Sequence, residues 1–193
     1  NILQRLIINS YIPYLKGGEL RNIKRCIDTN FVSTAGELIN KFERLFCKLY
    51  NFRYTLAVNS GTTALQISFK ALGVKKGDVV VVPSYTFAAT ANAIIYNNSK
   101  PWFIDCDSQL NLSLDSLENE FKKKTIQIKG QCFLKSSKER VRALVPVLTF
   151  GRKISFKKYI HFAKKHNLEI LFDAAACHDP KIFNIIANKN MLN

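Results

Sequence analysis

Three short stretches of this 193-residue sequence carry side chains suited to holding a small ligand. The first is Ser60-Gly61-Thr62-Thr63. It follows a short apolar run, Thr55–Val58, read as a strand, and opens a helical pattern that Gly73 stops. The first turn of a helix has unpaired N–H groups, and with the helix dipole they favour an anion. Gly61 lets the backbone approach such an anion closely, and the hydroxyls of Thr62 and Thr63 add donors. The same four residues also make a plain N-cap and turn, and they match neither a Walker loop nor a G-x-G-x-x-G fingerprint. The second stretch is Tyr85-Thr86-Phe87, just after a run of four valines. The ring of Phe87 there either stacks on a flat ligand or joins the core as most phenylalanines do. The third is Asp173, which ends the apolar run Ile170-Leu-Phe172 and precedes three alanines that cannot screen it. A carboxylate so placed meets a cation, a metal or a protonated heterocycle, or else caps a helix.

The elements that must position these groups alternate along the chain. Leu20, Ile23 and Ile27 share one face of a helix over 18–28. Thr34-Ala-Gly-Glu37 reads as a capping box for an amphipathic helix over 35–49, with Leu38, Ile39, Phe42, Leu45, Phe46 and Leu49 at helical spacing. Asp78 to Val82 reads as a strand buried on both faces, followed by an alanine-rich helix to about Tyr96 capped by Thr86. Pro101–Asp105, Arg142–Val147 and Glu169–Asp173 read as further strands, and helices are expected from Asp115 and over Ser155–His166. Residues 122–141 read as a polar, basic insertion. This alternation predicts an α/β fold, a mostly parallel sheet with helices on both faces. Ligands of such sheets gather at the carboxyl ends of the strands, where all three stretches fall.

One cofactor uses all three groups. Pyridoxal 5'-phosphate has a dianionic phosphate for the helix start, a flat ring for the aromatic face, and a pyridine nitrogen that an aspartate keeps protonated. At this point a resemblance carries the reading further. Roughly Ile12 to His178 resembles the DegT/StrS-type sugar aminotransferases, pyridoxal-phosphate enzymes of fold type I. The matching stretches include Asn30-Phe-Val-Ser-Thr-Ala-Gly36, Asn59-Ser-Gly-Thr-Thr-Ala-Leu65, Gly77-Asp-Val-Val-Val-Val-Pro83 and Tyr85-Thr-Phe-Ala-Ala-Thr-Ala-Asn-Ala-Ile94. Pro101-Trp-Phe-Ile-Asp-Cys-Asp107, Val145-Pro-Val-Leu-Thr-Phe-Gly151 and Phe172-Asp-Ala-Ala175 follow in order. The opening stretch and the insertion look most like the subgroup making legionaminic-type or related 4-amino-6-deoxy sugars.

The resemblance implies that Gly61, Thr62 and Thr63 hold the phosphate, Phe87 stacks on the ring, and Asp173 pairs with the pyridine nitrogen. It also implies a homodimer that transfers an amino group, usually from glutamate, to a 4-keto-6-deoxy nucleotide sugar. Two departures stand out. Relatives often carry Gln or His three positions past the aspartate, where this chain has Ala176. They also place the Schiff-base lysine further on, in a Ser-x-x-x-Lys-like setting. Only Lys181 and Lys189 follow Asp173 here, without that context. The sequence thus reads as an N-terminal fragment of the large domain: N-terminal helices over 1–50, an α/β core over 51–178 and a divergent tail over 179–193. The small C-terminal domain is expected to be absent, and transamination is expected to be lost with the Schiff-base lysine.

Composition narrows the remaining classes. At 47% hydrophobic residues the chain can build a core, and no apolar run nears the roughly 20 residues of a membrane span. Five scattered cysteines without a C-x-x-C pair point away from disulfides and zinc, toward a reducing, cytoplasmic setting. The net charge is +15, and residues 121–165 hold 14 basic residues against Glu139 alone. That run fits nucleic acid or an anionic substrate such as a nucleotide diphosphate, yet it reads more simply as a solvated, Lys-rich surface without a nucleic-acid module. Two other readings stay open beside the aminotransferase one: a non-catalytic partner of an intact paralogue, and a basic nucleic-acid-binding fragment.

Overall fold

Val79, Val80, Val81 and Val82 are each at most 2% exposed, so neither face of their strand meets water. β-branched residues suit that double burial. In the computed structural model, which describes residues 12–33 and 35–187, this strand, β1 (Val79–Pro83), is flanked by β2 (Lys100–Ile104) and β5 (Val141–Leu144). A two-residue β6 (Glu169–Ile170) completes a four-stranded parallel sheet in the order β2-β1-β5-β6. Beyond β6 the pairing continues as a parallel bridge between Val147 and Asp173. The carboxylate position is therefore still tied to the sheet.

Helices cover both faces, as the sequence pattern requires. The even valines, Val80 and Val82, pack with Leu65 and Phe69 of α3 (Gly61–Ala71) and with Ala93 and Ile94 of α4 (Ala88–Tyr96). The odd ones, Val79 and Val81, face Leu117 and Phe121 of α5 (Leu114–Lys124) and Tyr159, Phe162 and Ala163 of α6 (Phe156–Lys165). At the amino edge of the sheet the loops after α3 and α4 are joined by Ser99 Oγ donating to the Lys75 carbonyl at 2.9 Å. Both helices thus end at that edge and start at the opposite, carboxyl edge. The chain steps from β1 to β2 on one side, then returns to β5 on the other. Such a reversal opens a crevice outside the carboxyl ends of the neighbouring strands.

Several boundaries differ from the sequence reading. α2 runs Glu37–Tyr50 with Gly36 at its N-cap, and the Thr34 proposed as the cap lies outside the described residues. Glu37 pairs with Arg25 of α1 (Glu19–Asp28) at 2.5 Å. α4 begins after Phe87, because the Thr86 hydroxyl is engaged with Thr90 and caps nothing. α5 is capped by Ser113, whose Oγ accepts from Ser116 N at 3.1 Å, two residues before the Asp115 start. Thr55–Val58 is not a strand: Leu56 is 67% exposed, and the Ala57 N–H is satisfied by the Glu43 carboxylate at 2.8 Å. The basic insertion holds an antiparallel hairpin, β3 (Thr125–Ile128) and β4 (Gln131–Leu134), turning at Lys129-Gly130 with Cys132 buried against the core. After Asp173 the chain forms α7 (Pro180–Ala187), which seats Ile182 in a small core with Leu148 and Phe156. The five cysteines are free, and among the described residues no helix is long and apolar enough to cross a membrane.

Candidate active site

The crevice predicted by the strand order is a cavity of about 400 Å³. Its walls come from the segments leaving three strands: Tyr85-Thr86-Phe87 after β1, Val147–Phe150 after β5, and Asp173, Ala175 and Ala176 after β6. Phe87 is 82% exposed, so its ring is a wall of the opening and no part of the core. Asp173 caps no helix. Its Oδ1 accepts from Ala175 N at 3.2 Å, and its Oδ2 accepts from Thr90 Oγ1 at 2.7 Å. The backbone beneath is fixed on both sides, with Asp173 N donating to the Pro146 carbonyl at 3.0 Å and Leu148 N to the Asp173 carbonyl at 2.9 Å.

The start of α3 has the features an anion requires. Ser60 is extended and its Oγ accepts from Thr63 N at 3.1 Å, with the two hydroxyls 3.0 Å apart. The Thr63 amide is therefore spent on the cap, and the Gly61 and Thr62 amides keep no intrahelical partner. A Cβ built on Gly61 would meet no atom within 4 Å, so the approach to this turn is open. Gly61, Thr62 and Thr63 lie at the same carboxyl edge as Phe87 and Asp173, but they do not line the 400 Å³ cavity. The structure brings Phe87 and Asp173 together in one cavity and sets the third group beside it on the sheet's rim.

Sequence reasoning passed over two residues. Thr90, 0% exposed, donates to Asp173 from within α4, and its spacing of four from Thr86 is the signal that could have revealed it. Phe150 lines the cavity in a left-handed conformation (φ 54°), its ring 6.4 Å from Tyr85. That conformation is uncommon for a bulky residue and tends to persist where function holds it. Ala176 presents only a methyl to the cavity. Among the described residues no lysine lines it; Lys181 sits exposed on α7, and Lys189 lies outside the described residues. The lysines of 122–138 gather elsewhere. The end of α5, the hairpin and the end of α6 meet at the amino edge, where Asn167 Nδ2 donates to the Gly130 carbonyl at 2.6 Å and Lys135 Nζ to that of Lys123 at 2.9 Å. This basic surface does not serve the cavity.

Residues 13–183 match the model of the DegT/DnrJ/EryC1/StrS aminotransferase family. The chain belongs to that family. It is 30% identical over 172 residues to the GDP-perosamine synthase of Escherichia coli O157:H7, covering 89% of this chain and 43% of that enzyme. It is 28% identical over 164 residues to EpsN of Bacillus subtilis, a putative pyridoxal phosphate-dependent aminotransferase, covering 84% and 40%. The fold matches that of an aminotransferase from Psychrobacter cryohalolentis with a TM-score of 0.73 at 24% identity, over 88% of this chain and 39% of that one. The chain thus spans about two fifths of the length of these DegT/DnrJ/EryC1/StrS relatives.

Proposed function

We propose that this chain is the cofactor-gripping part of a pyridoxal-phosphate aminotransferase that acts on 4-keto-6-deoxy nucleotide sugars in polysaccharide biosynthesis. The observation that carries the reading is the shared cavity of Phe87 and Asp173 at the point where the strand order reverses. The residues present fit the group. An exposed aromatic face suits a flat ring, a carboxylate with two donors already on it suits a protonated heterocyclic nitrogen, and the volume lies within the range of small-molecule sites. Bound pyridoxal phosphate supplies the electron sink for amino-group transfer. Phe87 would hold the ring plane and exclude water from one face. Asp173 would hold a proton at the pyridine nitrogen, and the amides of Gly61 and Thr62, with the hydroxyls of Thr62 and Thr63, would take the phosphate. Glutamate as amino donor and assembly as a homodimer belong to the same proposal.

With no lysine among the described residues on the cavity wall, these residues are expected to bind the cofactor without joining it covalently. Titration of the chain with pyridoxal phosphate, followed by absorbance, tests both halves. Saturable binding is expected, weakened about tenfold or more by Asp173→Asn, since a hydrogen bond to a charged group is worth about 1.5–3 kcal/mol. Borohydride should leave no adduct at a single lysine. Equal affinity in Asp173→Asn would overturn the cofactor reading, and a stoichiometric adduct at Lys181 or Lys189 the reading of non-covalent binding.

A further inference from the structure

Asp173 does not set its own direction; a fully buried hydroxyl does. Thr90 lies on the third residue of α4, 83 positions before the aspartate, with none of its surface exposed. Its Oγ1 is 2.7 Å from Asp173 Oδ2 and 2.9 Å from Thr86 Oγ1. A threonine hydroxyl has a single proton, and an ionised carboxylate only accepts. The proton of Thr90 therefore goes to Asp173, so in the contact between the two threonines Thr86 donates and Thr90 accepts. The other carboxylate oxygen faces the Ala175 N–H at 3.2 Å, a donor that cannot reverse.

From this we infer that Thr90, supported by Thr86, is a positioning residue: it holds the Asp173 carboxylate turned to meet a cationic ring nitrogen in the cavity. The inference rests on the pyridoxal-phosphate reading for what the carboxylate meets, and on the hydrogen bonds alone for how it is held. Each oxygen of Asp173 receives one protein donor, and the two together fix the side-chain torsion. Each oxygen also keeps a further acceptor direction, available to a ligand. A chain of hydroxyls polarised in one sense strengthens each link in it. Thr90 lies in the first turn of α4 and Thr86 just before its N-cap Phe87, so the relay is built into the start of that helix. The ring wall and the carboxylate are thereby set by the same element.

Two measurements separate this inference from the reading beneath it. In the cofactor-free chain, the Asp173 carboxyl-carbon resonance should move in Thr90→Val, which keeps the shape and removes the hydroxyl. It should stay near its wild-type position in Thr90→Ser, which keeps the hydroxyl. An unmoved resonance in Thr90→Val overturns the inference whatever the cofactor does. Titration with pyridoxal phosphate is the second measurement. Thr90→Val should weaken binding about fivefold or more, Thr90→Ser less than about twofold, and Thr86→Val by an intermediate factor. In the Asp173→Asn background Thr90→Val should add little, because the two act as one unit. A full, additive loss there would make Thr90 a packing residue and overturn the inference. Should the wild-type chain bind no pyridoxal phosphate, the functional reading fails and the carboxyl resonance decides the positioning role. If Thr90→Val does not fold, the pair Thr90→Ser and Thr86→Val decides it: equal affinities in both would count against the relay.

Discussion

Phe87 and His166 are both aromatic residues at the end of an element, and their surroundings give them opposite duties. Phe87 makes no side-chain cap and packs into none of the three core clusters. Phe87→Leu should therefore leave the melting temperature almost unchanged while weakening pyridoxal-phosphate binding several-fold, as loss of an aromatic stack worth about 0.5–1.5 kcal/mol requires. Thermal melts paired with absorbance titrations check the split. His166 packs its ring against Phe121 and Phe162, with centroids 4.9 and 4.5 Å away, and its Nε2 is buried without a hydrogen-bond partner among the described residues. Burial, followed by the nearby Lys165 ammonium, lowers its pKa against a smaller opposing pull from Glu118. The unfolded chain therefore binds a proton at His166 more readily than the folded one. Its contribution to stability is whole above the ordinary value of about 6.5 and is lost as pH falls through and below it. NMR should place the imidazole midpoint below that ordinary value. Between about pH 7 and pH 5 the melting temperature of wild type should fall more than that of His166→Phe.

The turn Thr149–Gly151 between β5 and α6 shows how an element can be specified by backbone and not by pattern. Gly151 has φ +71°, and a Cβ there would stand 2.9 Å from the Ala176 carbonyl oxygen. Gly130, in the hairpin turn, has φ +73° and open space. Gly130→Ala should therefore cost about 1 kcal/mol for the left-handed conformation alone. Gly151→Ala should cost at least about 2 kcal/mol, because the carbonyl behind Ala176 must also yield. Urea denaturation of the two variants checks the order; equal losses would contradict it. The same contrast explains what the sequence disclosed. Val79–Val82 and the amphipathic α6 could be read because burial on two faces and on one face leave different periods. The hairpin over Thr125–Leu134 was hidden because its exposed strand carries two isoleucines among lysines, although Lys129-Gly130, both at positive φ, marks a two-residue hairpin turn. Thr55–Val58 has a strand's composition but pairs with no strand among the described residues, and composition cannot supply one. At the site, Phe87 and Asp173 were legible as residue types at strand ends, whereas Thr90 lay in a buried helix turn whose meaning depends on a partner far away in sequence.

At the scale of the molecule, two surfaces remain to be matched with partners, and they obey different physics. One is apolar: Leu20, Ile23 and Ile27 of α1 with Phe42, Leu45 and Leu49 of α2 are all more than half exposed. Both helices are tied together only lightly, since the Arg25–Glu37 pair lies in the open and exposed ion pairs contribute about 1 kcal/mol at most. Exposed apolar helix faces, where they are contiguous, are interfaces or sources of aggregation. The other is the lysine surface at the amino edge, remote from the cavity. If the chain assembles as the homodimer proposed here, the apolar helices are the better contact, because unpaired lysines of two copies repel. Sedimentation equilibrium should then show self-association of the 22.0 kDa chain that rises with concentration and is undiminished by added salt. Ile23→Glu with Ile27→Glu should shift it to monomer at no great loss of fold, since neither side chain is in the core. Association that dissolves as salt screens charge over about 10 Å would assign the contact to the lysine surface instead, with an acidic partner face. A chain that stays monomeric at every concentration would contradict the homodimer outright and leave the apolar helices for a different chain to cover.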